Sequence, residues 1–525
     1  MPKVLIADQM SPRAAEMFRS RGIEVIERPG LKPDELKAAL QGVDGLAVRS
    51  ATKVTKDVMA ACDRLTVVGR AGVGIDNVDL EAATARGIVV MNTPFGNSIT
   101  TAEHAIALLM ALARQLPEAD RSTRAGKWEK NKFMGVELYG KTLGVIGCGN
   151  IGSIVAKLGI GLRMKVIAFD PYLSPERAAD LGVEKVTLDV LLPRADFITL
   201  HVPLTDETKN VLDAAALAKT KKGVRIINCA RGGLVDETAL KAAIERGHVA
   251  GAAFDVFLVE PAKDNPLFAL DQVICTPHLG ASTSEAQENV AVQVAEQMSD
   301  FLLTGAVANA LNMPSVTAEE MPRLKPYMKL AEQLGSFAGQ LTETGLKAVT
   351  IEYEGDVASI NTRPLTAVAL QGLLKPLMSS VNMVNAPVIA RERGIDVREV
   401  KRAQAEDYLT LIRLTVTTER QTRSVAGTLF AGNKPRLVEI KGISIEAELS
   451  PDMLYVTNED KPGMIGRLGQ ALGDGGVNIA TFHLGRAEAG GAAIALLSVD
   501  GPVPDEVLER LRHLPNIVQV RALRF

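Results

Sequence analysis

Leu143-Gly-Val-Ile-Gly147-Cys-Gly149-Asn-Ile-Gly152 sets an apolar strand against three glycines spaced Gly-x-Gly-x-x-Gly, with a helical pattern following at once. Gly147 makes the tight turn, Gly149 lets the backbone approach a pyrophosphate, and Gly152 lets the helix pack on the strand. The helix N-terminus then presents free N–H groups and the positive end of its dipole to phosphate oxygens. The next strand, Lys165-Val-Ile-Ala-Phe, ends in Asp170. A carboxylate there accepts ribose hydroxyls and repels a 2′-phosphate, which selects NAD over NADP.

Working outward, short apolar runs alternate with helical patterns on both sides of this loop. Val4 to Ala7, Glu24 to Ile26, Gly45 to Val48, Leu65 to Val68 and Ile88 to Met91 read as the strands of a first α/β unit. Residues 99–116 form one long helical pattern. Six candidate strands follow: Leu143 to Ile146, Lys165 to Phe169, Phe197 to Leu200, Arg225 to Asn228, Gly251 to Phe254 and Gln272 to Cys275. They predict a second doubly wound sheet. A helix over Ser284 to Leu303 would return the chain to the first unit. The proline-punctuated segment Asn312 to Pro326 reads as a boundary. The last stretch runs strand, helix, two strands, helix, strand, the ferredoxin-like order.

The expected fold class is therefore α/β, with two Rossmann-like parallel-sheet domains, then an α+β unit and a ferredoxin-like one. The expected boundaries are 1–98 with 284–312 for a first, discontinuous domain, 99–283 for the dinucleotide domain, 317–450 for the third and 452–525 for the fourth. A chain of 525 residues has room for that many units.

Composition narrows the partners. Lys plus Arg number 59 against 62 Asp plus Glu, so no global charge favours nucleic acid or an anionic membrane. Cys62, Cys148, Cys229 and Cys275 show no CxxC spacing, which argues against a disulfide framework or a metal site. The N-terminus reads as a strand rather than a signal peptide, and the apolar stretch Ala105 to Ala113 is too short to span a bilayer. The expected compartment is the cytoplasm.

Arg231, Glu260 and His278 each follow the end of a successive strand in the second unit, where an open α/β sheet forms its ligand crevice. Hydride removal from a secondary alcohol needs a base for the hydroxyl proton, and a neutral imidazole suits that task. A carboxylate partner orients the ring, and an arginine clamps a substrate carboxylate. Taken singly, each residue has a plainer reading as a strand-end or loop group.

As a set they carry a resemblance. Asn228-Cys-Ala-Arg231-Gly-Gly, Phe257-Leu-Val-Glu260-Pro and Pro277-His278-Leu-Gly-Ala-Ser-Thr resemble the three signatures of the D-2-hydroxyacid dehydrogenase family. Gly69-Arg-Ala-Gly-Val-Gly-Ile-Asp-Asn-Val-Asp79, Asn92-Thr-Pro-Phe-Gly-Asn97 and Gly126-Lys-Trp128 extend the likeness to members that act on D-3-phosphoglycerate, in a long form with an intervening domain. The resemblance implies NAD-dependent oxidation of D-3-phosphoglycerate to 3-phosphohydroxypyruvate, the first step of phosphorylated serine biosynthesis. It implies that Arg231 binds the substrate carboxylate and carbonyl, that Glu260 supports the histidine, and that His278 exchanges the proton at C2. Implied NAD contacts are Val73, the glycine loop with Asn150 and Ile151, Asp170, Val202, Cys229, Ala230, Arg231, Asp255, His278, Leu279, Gly280 and Ala281. Many members have threonine where this chain has Val202, which leaves a backbone contact there. Implied substrate contacts are Arg49, Ser50, Arg70, Gly72, Gly74, Asn97 and Lys130, and one of the three lysines Lys127, Lys130 and Lys132 is implied to reach a neighbouring subunit's site.

Asn458-Glu-Asp460-Lys-Pro-Gly463 and Gly476-Val-Asn478-Ile resemble an ACT domain. This implies L-serine as effector on Asn458, Asp460 and Asn478, in a homo-oligomer, a tetramer by resemblance. Two rivals stay open: reduction of a different 2-keto acid, and a non-enzymatic NAD-sensing interaction protein of the same fold.

Overall fold

The computed structural model describes residues 1–404 and 407–525. Lys3–Ile6, Glu24–Glu27, Gly45–Val48, Val67–Arg70 and Val89–Asn92 form a parallel five-stranded sheet, in spatial order second, first, third, fourth, fifth. All four residues of Gly45–Val48 are buried, as a strand covered on both faces requires. One cover is the helix Ser284–Thr304, which reaches back from beyond the second sheet. Its Val290, Val294, Ala295 and Met298 share one core with Val4, Ile6, Val67 and Val89. Full burial of each larger side chain stabilises that return by about 1.5–3 kcal/mol.

The second sheet has seven parallel strands: Val273–Cys275, Val249–Phe254, Val224–Asn228, Phe197–Leu200, Thr142–Ile146, Lys165–Phe169 and Glu184–Lys185, in that spatial order. The order reverses beside Thr142–Ile146, with Lys165–Phe169 on one side and Phe197–Leu200 on the other. A crevice opens at such a switch point, outside the carboxyl ends of the strands. Glu184–Lys185 is too short to leave a periodic signal and was not expected from sequence.

The single helix expected over residues 99–116 is two. Ser98–Arg114 stops at Gln115, which takes a left-handed φ of 51°, and Leu116–Arg124 starts anew. Pro117 has no N–H to continue the first helix but fits the first turn of the second. The expected boundary at Asn312 to Pro326 also needs correcting, because the helix Met321–Gln340 begins inside it. Pro322 occupies its first turn, and Pro326, which has no N–H, leaves the Pro322 carbonyl without its i→i−4 donor.

In the third unit, Asp396–Arg402, Leu346–Gly355, Thr410–Thr418, Thr422–Phe430, Lys434–Ile440 and Ile443–Ala447 form a mixed six-stranded sheet. The unit is seated on the first: Val384 is buried in the first sheet's core, and the Asn382 amide donates to the Gly87 carbonyl at 2.9 Å. The fourth unit is antiparallel, in the order Ile479–Arg486, Ala492–Val499, Asp452–Glu459, Ile517–Arg524. Its helices Met464–Asp474 and Asp505–Arg512 complete the ferredoxin-like pattern. Among the described residues, no helix is long and apolar enough to cross a membrane.

Candidate active site

The glycine turn is built as a dinucleotide cradle. Gly147 has φ 88°, and a Cβ on it would stand 2.6 Å from the His201 carbonyl oxygen and from the Val202 side chain. A Cβ on Gly152 would stand 1.9 Å from the Gly147 carbonyl oxygen, so only glycine lets the helix start against the turn. Gly149 instead faces open space. It caps the helix Asn150–Gly161 without any side-chain hydrogen bond, which leaves the first N–H groups free for an anion.

Asp170 ties the next strand to this turn. Its Oδ2 accepts the Cys148 N–H at 2.8 Å and its Oδ1 the Tyr172 N–H at 2.8 Å, leaving each oxygen a further lone pair for a ribose hydroxyl. Cys229 is buried, and burial pushes its thiol far up, so it stays protonated. The Asn228 amide accepts the Ala230 N–H and donates to the Arg231 carbonyl, which pins the loop that carries Arg231.

His278 sits with φ 56°, an unusual conformation for a residue with a Cβ. Asp255 enforces it. Its carbonyl accepts the His278 N–H at 2.9 Å. Its carboxylate, 0% exposed, accepts the Thr276 hydroxyl at 2.6 Å and the Leu279 and Gly280 N–H groups at 2.7 and 2.8 Å. His104 Nε2 lies 3.2 Å away, and the Thr101 hydroxyl donates to the Gly280 carbonyl. Burial pushes the Asp255 carboxyl up, but these partners outweigh it and hold it below its ordinary range. The carboxylate is enclosed, so what Asp255 gives the cleft is the shape of the turn over which Leu279, Gly280 and Ala281 are displayed.

Glu260 Oε2 lies 2.7 Å from His278 Nδ1, and Glu260 Oε1 accepts the Phe257 N–H at 3.0 Å. The hydrogen bond to Glu260 raises the His278 pKa above its ordinary value, against the opposing effect of burial. Burial pushes the Glu260 carboxyl up, but its bonds to His278 and Phe257 leave it lowered. With Nδ1–H donating to the carboxylate, the neutral ring keeps its lone pair on Nε2.

Arg231 leans out of the second sheet toward the first. Its Nη1 donates to the Ala230 carbonyl at 2.7 Å, and its Nε lies 3.3 Å from Asp76 Oδ2 across the cleft. A Cβ on Gly74 would collide with its Nη2 at 1.9 Å. On that opposite wall, Arg70 is largely buried with its Nε unpartnered. Desolvation and then the Arg231 charge pull the Arg70 pKa down to about 10, so it remains a cation. Gly72 is held by Thr93, whose hydroxyl accepts its N–H at 2.6 Å. The Val73 carbonyl accepts the Asn92 amide at 2.6 Å. Arg49 donates to the Gln9 carbonyl at 3.2 Å, and Ser50 beside it is exposed. Asn97 caps the helix Ser98–Arg114 with no side-chain bond, and its Oδ1 is buried without a partner. Arg70 Nε and Asn97 Oδ1 are thus left with hydrogen-bonding capacity at the cleft.

Asp76, Asn92, Thr93, Asp255's brace and His104 escaped sequence reasoning as working parts. Asp76, Asn92 and Thr93 lie inside quoted motifs, but their partners come from other loops and leave no linear spacing.

Two further groups lie outside this cleft. Lys130 is exposed. Its neighbours Lys127 and Lys132 line a hollow with Arg225 and Gln272, at the edge where the second sheet's strands begin. That edge is opposite His278, so any contact of Lys130 with a substrate needs a second copy of the chain. The three residues expected to hold an effector are not brought together within a single chain. Asn458 pairs in register with Ala493, whereas Ile479, next to Asn478, pairs with Val499 at the other end of the same strand. Over that run of strand the separation is roughly 20 Å. Asp452–Glu459 and Ile479–Arg486 are both antiparallel to Ala492–Val499 and hence run the same way, so an end residue of one is far from a start residue of the other. Asn458 is 2% exposed with its Oδ1 unpartnered, Asp460 accepts from Arg486 and the Gly490 N–H, and the Asn478 amide donates to Asp500 at 2.6 Å.

Comparison with known proteins agrees with this architecture. Residues 106–280 match the D-isomer specific 2-hydroxyacid dehydrogenase NAD binding domain, 323–441 the D-3-phosphoglycerate dehydrogenase intervening domain, and 453–516 the ACT domain. The D-3-phosphoglycerate dehydrogenase of Bacillus subtilis is 44% identical over 525 residues, covering 100% of this chain and 99% of that protein. That of Methanocaldococcus jannaschii is 43% identical, covering 100% of both. Among solved structures, D-lactate dehydrogenase from Aquifex aeolicus complexed with NAD and lactic acid superposes with a TM-score of 0.52 at 27% identity, covering 60% of this chain and 100% of that one. This chain belongs to the D-3-phosphoglycerate dehydrogenase family, in the form that carries an intervening domain and an ACT domain.

Proposed function

We propose that this protein oxidises D-3-phosphoglycerate to 3-phosphohydroxypyruvate with NAD, the entry step of phosphorylated serine synthesis. The observation that carries the reading is the meeting of the His278–Glu260 pair with Arg231, Arg70 and Arg49 across one cleft, in a chain of this family. Bound along the glycine turn, NAD supplies the hydride acceptor. The N–H groups of Asn150 and Ile151 hold its pyrophosphate and Asp170 its adenosine ribose.

Arg231 clamps the substrate carboxylate and carbonyl oxygen, and the N–H groups of Val73 and Gly74 complete that grip, on a loop pinned through Gly72 to Thr93. Arg49 and Arg70 neutralise the remaining negative charge of a phosphorylated acid. As the C2 hydride departs, His278 Nε2 takes the C2 hydroxyl proton and the C2–O bond becomes a carbonyl. Glu260 stabilises the imidazolium so formed, through Nδ1–H.

The homo-oligomer, a tetramer in this proposal, is supported by apolar side chains left bare in one segment: Trp128, 87% exposed, with Met134, Tyr139, Ile99 and Met110. It would also give Lys130 a site to reach. L-Serine is proposed as effector at the fourth unit, in a site assembled from two copies. The four unpaired cysteines suit a reducing cytoplasm. The test is turnover of D-3-phosphoglycerate with NAD, with and without L-serine. NADH formation with kcat/KM at least tenfold above that for unphosphorylated D-glycerate supports the reading, and a preference for the unphosphorylated acid sinks it.

A further inference from the structure

The turn that carries Arg49 is held by two side chains, Asp8 and Asn77, to which the resemblance assigns no role. Asp8 follows the first strand, Lys3–Ile6, and is 4% exposed. Its Oδ2 accepts the Arg49 N–H at 2.6 Å, and its Oδ1 accepts the Thr52 hydroxyl at 2.6 Å and the Thr52 N–H at 3.1 Å. From the other side, the Asn77 amide donates to the Arg49 carbonyl at 2.7 Å and to the Thr52 carbonyl at 2.6 Å. The N–H and C=O groups at both ends of the Arg49–Thr52 turn are thus gripped, the donors by Asp8 and the acceptors by Asn77.

We propose that Asp8 and Asn77 are positioning residues, which fix the Arg49–Thr52 turn and through it aim the Arg49 guanidinium at the anionic end of the substrate. The inference rests on the proposed function and names which groups preorganise its anion site.

Three features give the arrangement a purpose beyond holding a loop. Asp8 and Asn77 come from different loops, and Asn77 lies on the loop that also carries Gly72, Gly74 and Asp76, so the Arg49 turn and the amide loop move as one body. Asp76 and, to a smaller extent, Asp8 also favour the charged form of Arg70, while Arg231 and Arg49 oppose it, so Asp8 adds to the offset of repulsion within the arginine cluster. Finally, only a carboxylate can accept at both oxygens. An asparagine at position 8 would turn an N–H₂ group toward one set of donors and leave a buried donor unpaired.

The experiment uses the full-length protein. Affinity of the enzyme–NADH complex for D-3-phosphoglycerate is measured by calorimetry, alongside KM and kcat at saturating NAD. Asp8→Asn and Asn77→Ala are each expected to raise Kd and KM about tenfold, the loss of one charge-assisted contact. The kcat value should stay within about threefold and NADH affinity unchanged. In an Arg49→Ala background the same changes should add less than about twofold, because the group they aim is gone. The proposal is overturned if Kd does not move, if the full rise persists without the Arg49 side chain, or if kcat and NADH binding fall in step with it, as a general folding defect would cause. Should Asp8→Asn not fold, Asn77→Ala decides alone. Wild type that binds D-3-phosphoglycerate without oxidising it sinks the functional reading and leaves this one to be judged on Kd. Wild type that does not bind it overturns both.

Discussion

The catalytic cleft and the C-terminal sheet both carry their candidate residues at strand ends, yet only the cleft gathers them in one chain. In the two parallel sheets every strand points the same way, so residues far apart in sequence arrive on one edge. Asn92, Arg70 and Arg49 leave the first sheet on that edge, and Arg231, Glu260 and His278 leave the second. In the fourth sheet Asp452–Glu459 and Ile479–Arg486 also run the same way, but Asn458 lies at the end of the first and Asn478 just before the start of the second, which separates them. The cleft gathers its groups within one chain, whereas the fourth unit by itself leaves Asn458 and Asn478 apart.

The largest expected effect tests the cleft side. His278→Ala should lower kcat by roughly 10³-fold, within the usual range for a lost general base, and leave NADH affinity nearly intact. Turnover near the wild-type rate would mean that the strand ends gather without doing the proton transfer. Next comes Glu260→Gln, with kcat lower by about 10- to 100-fold. The Glu260 carboxylate raises the His278 pKa, and the base must be neutral. In wild type the acid limb of kcat/KM for oxidation should therefore lie above the ordinary histidine value of 6.5, and in Glu260→Gln it should move to lower pH. A limb that stays in place would disconnect the two residues.

The same pair makes a separate statement about stability. The raised His278 pKa contributes stability that is complete below 6.5 and is lost as pH rises through the folded value. The lowered Glu260 pKa contributes stability that is complete above 4.5 and is lost as pH falls through its folded value. The pair's contribution to Tm should thus peak between 4.5 and 6.5, on the acid side of the activity optimum, and vanish in Glu260→Gln.

A smaller change is expected at Asp170. Asp170→Ala should raise the KM for NAD about tenfold through loss of the ribose hydrogen bonds, with the KM for phosphoglycerate little changed. Asp170 also shows how far the sequence was legible. The Gly147–Gly152 turn, the strand that follows and its acidic end are local, and local order displays them directly. So do the strand-helix alternation and the ferredoxin-like order of the tail, where strand, helix, two strands, helix and strand follow as expected. What stayed hidden depends on non-local neighbours. The Asp8 and Asn77 grip on Arg49, the Asp255 brace of His278 and the Asp76 contact with Arg231 each join loops that are distant in sequence. Even the break at Gln115 was blurred, because apolar spacing runs on past it and only Pro117 marks the restart. For Asn458 and Asn478 the motif was plain, and strand pairing, which motifs do not encode, set the end of one strand far from the start of the other.

That separation carries a test in which kcat should not change at all. Asn458→Ala and Asn478→Ala, each made alone, should retain full turnover and lose inhibition by L-serine. If the effector site is shared between two copies, each junction takes one group from either chain. Oligomers reconstituted from a mixture of the two variants then contain some junctions with both mutated groups and some with neither. Serine sensitivity should return in part on mixing, most visibly at equal proportions, and neither variant alone should show it at any concentration. A site contained in one chain makes the opposite demand, since every chain in the mixture is then defective and mixing restores nothing. The outcome distinguishes the two architectures without altering a single catalytic group. Wild type that is insensitive to millimolar serine would remove the effector while leaving the cleft as described. In that case the antiparallel unit's strand ends would be free to serve subunit contact instead.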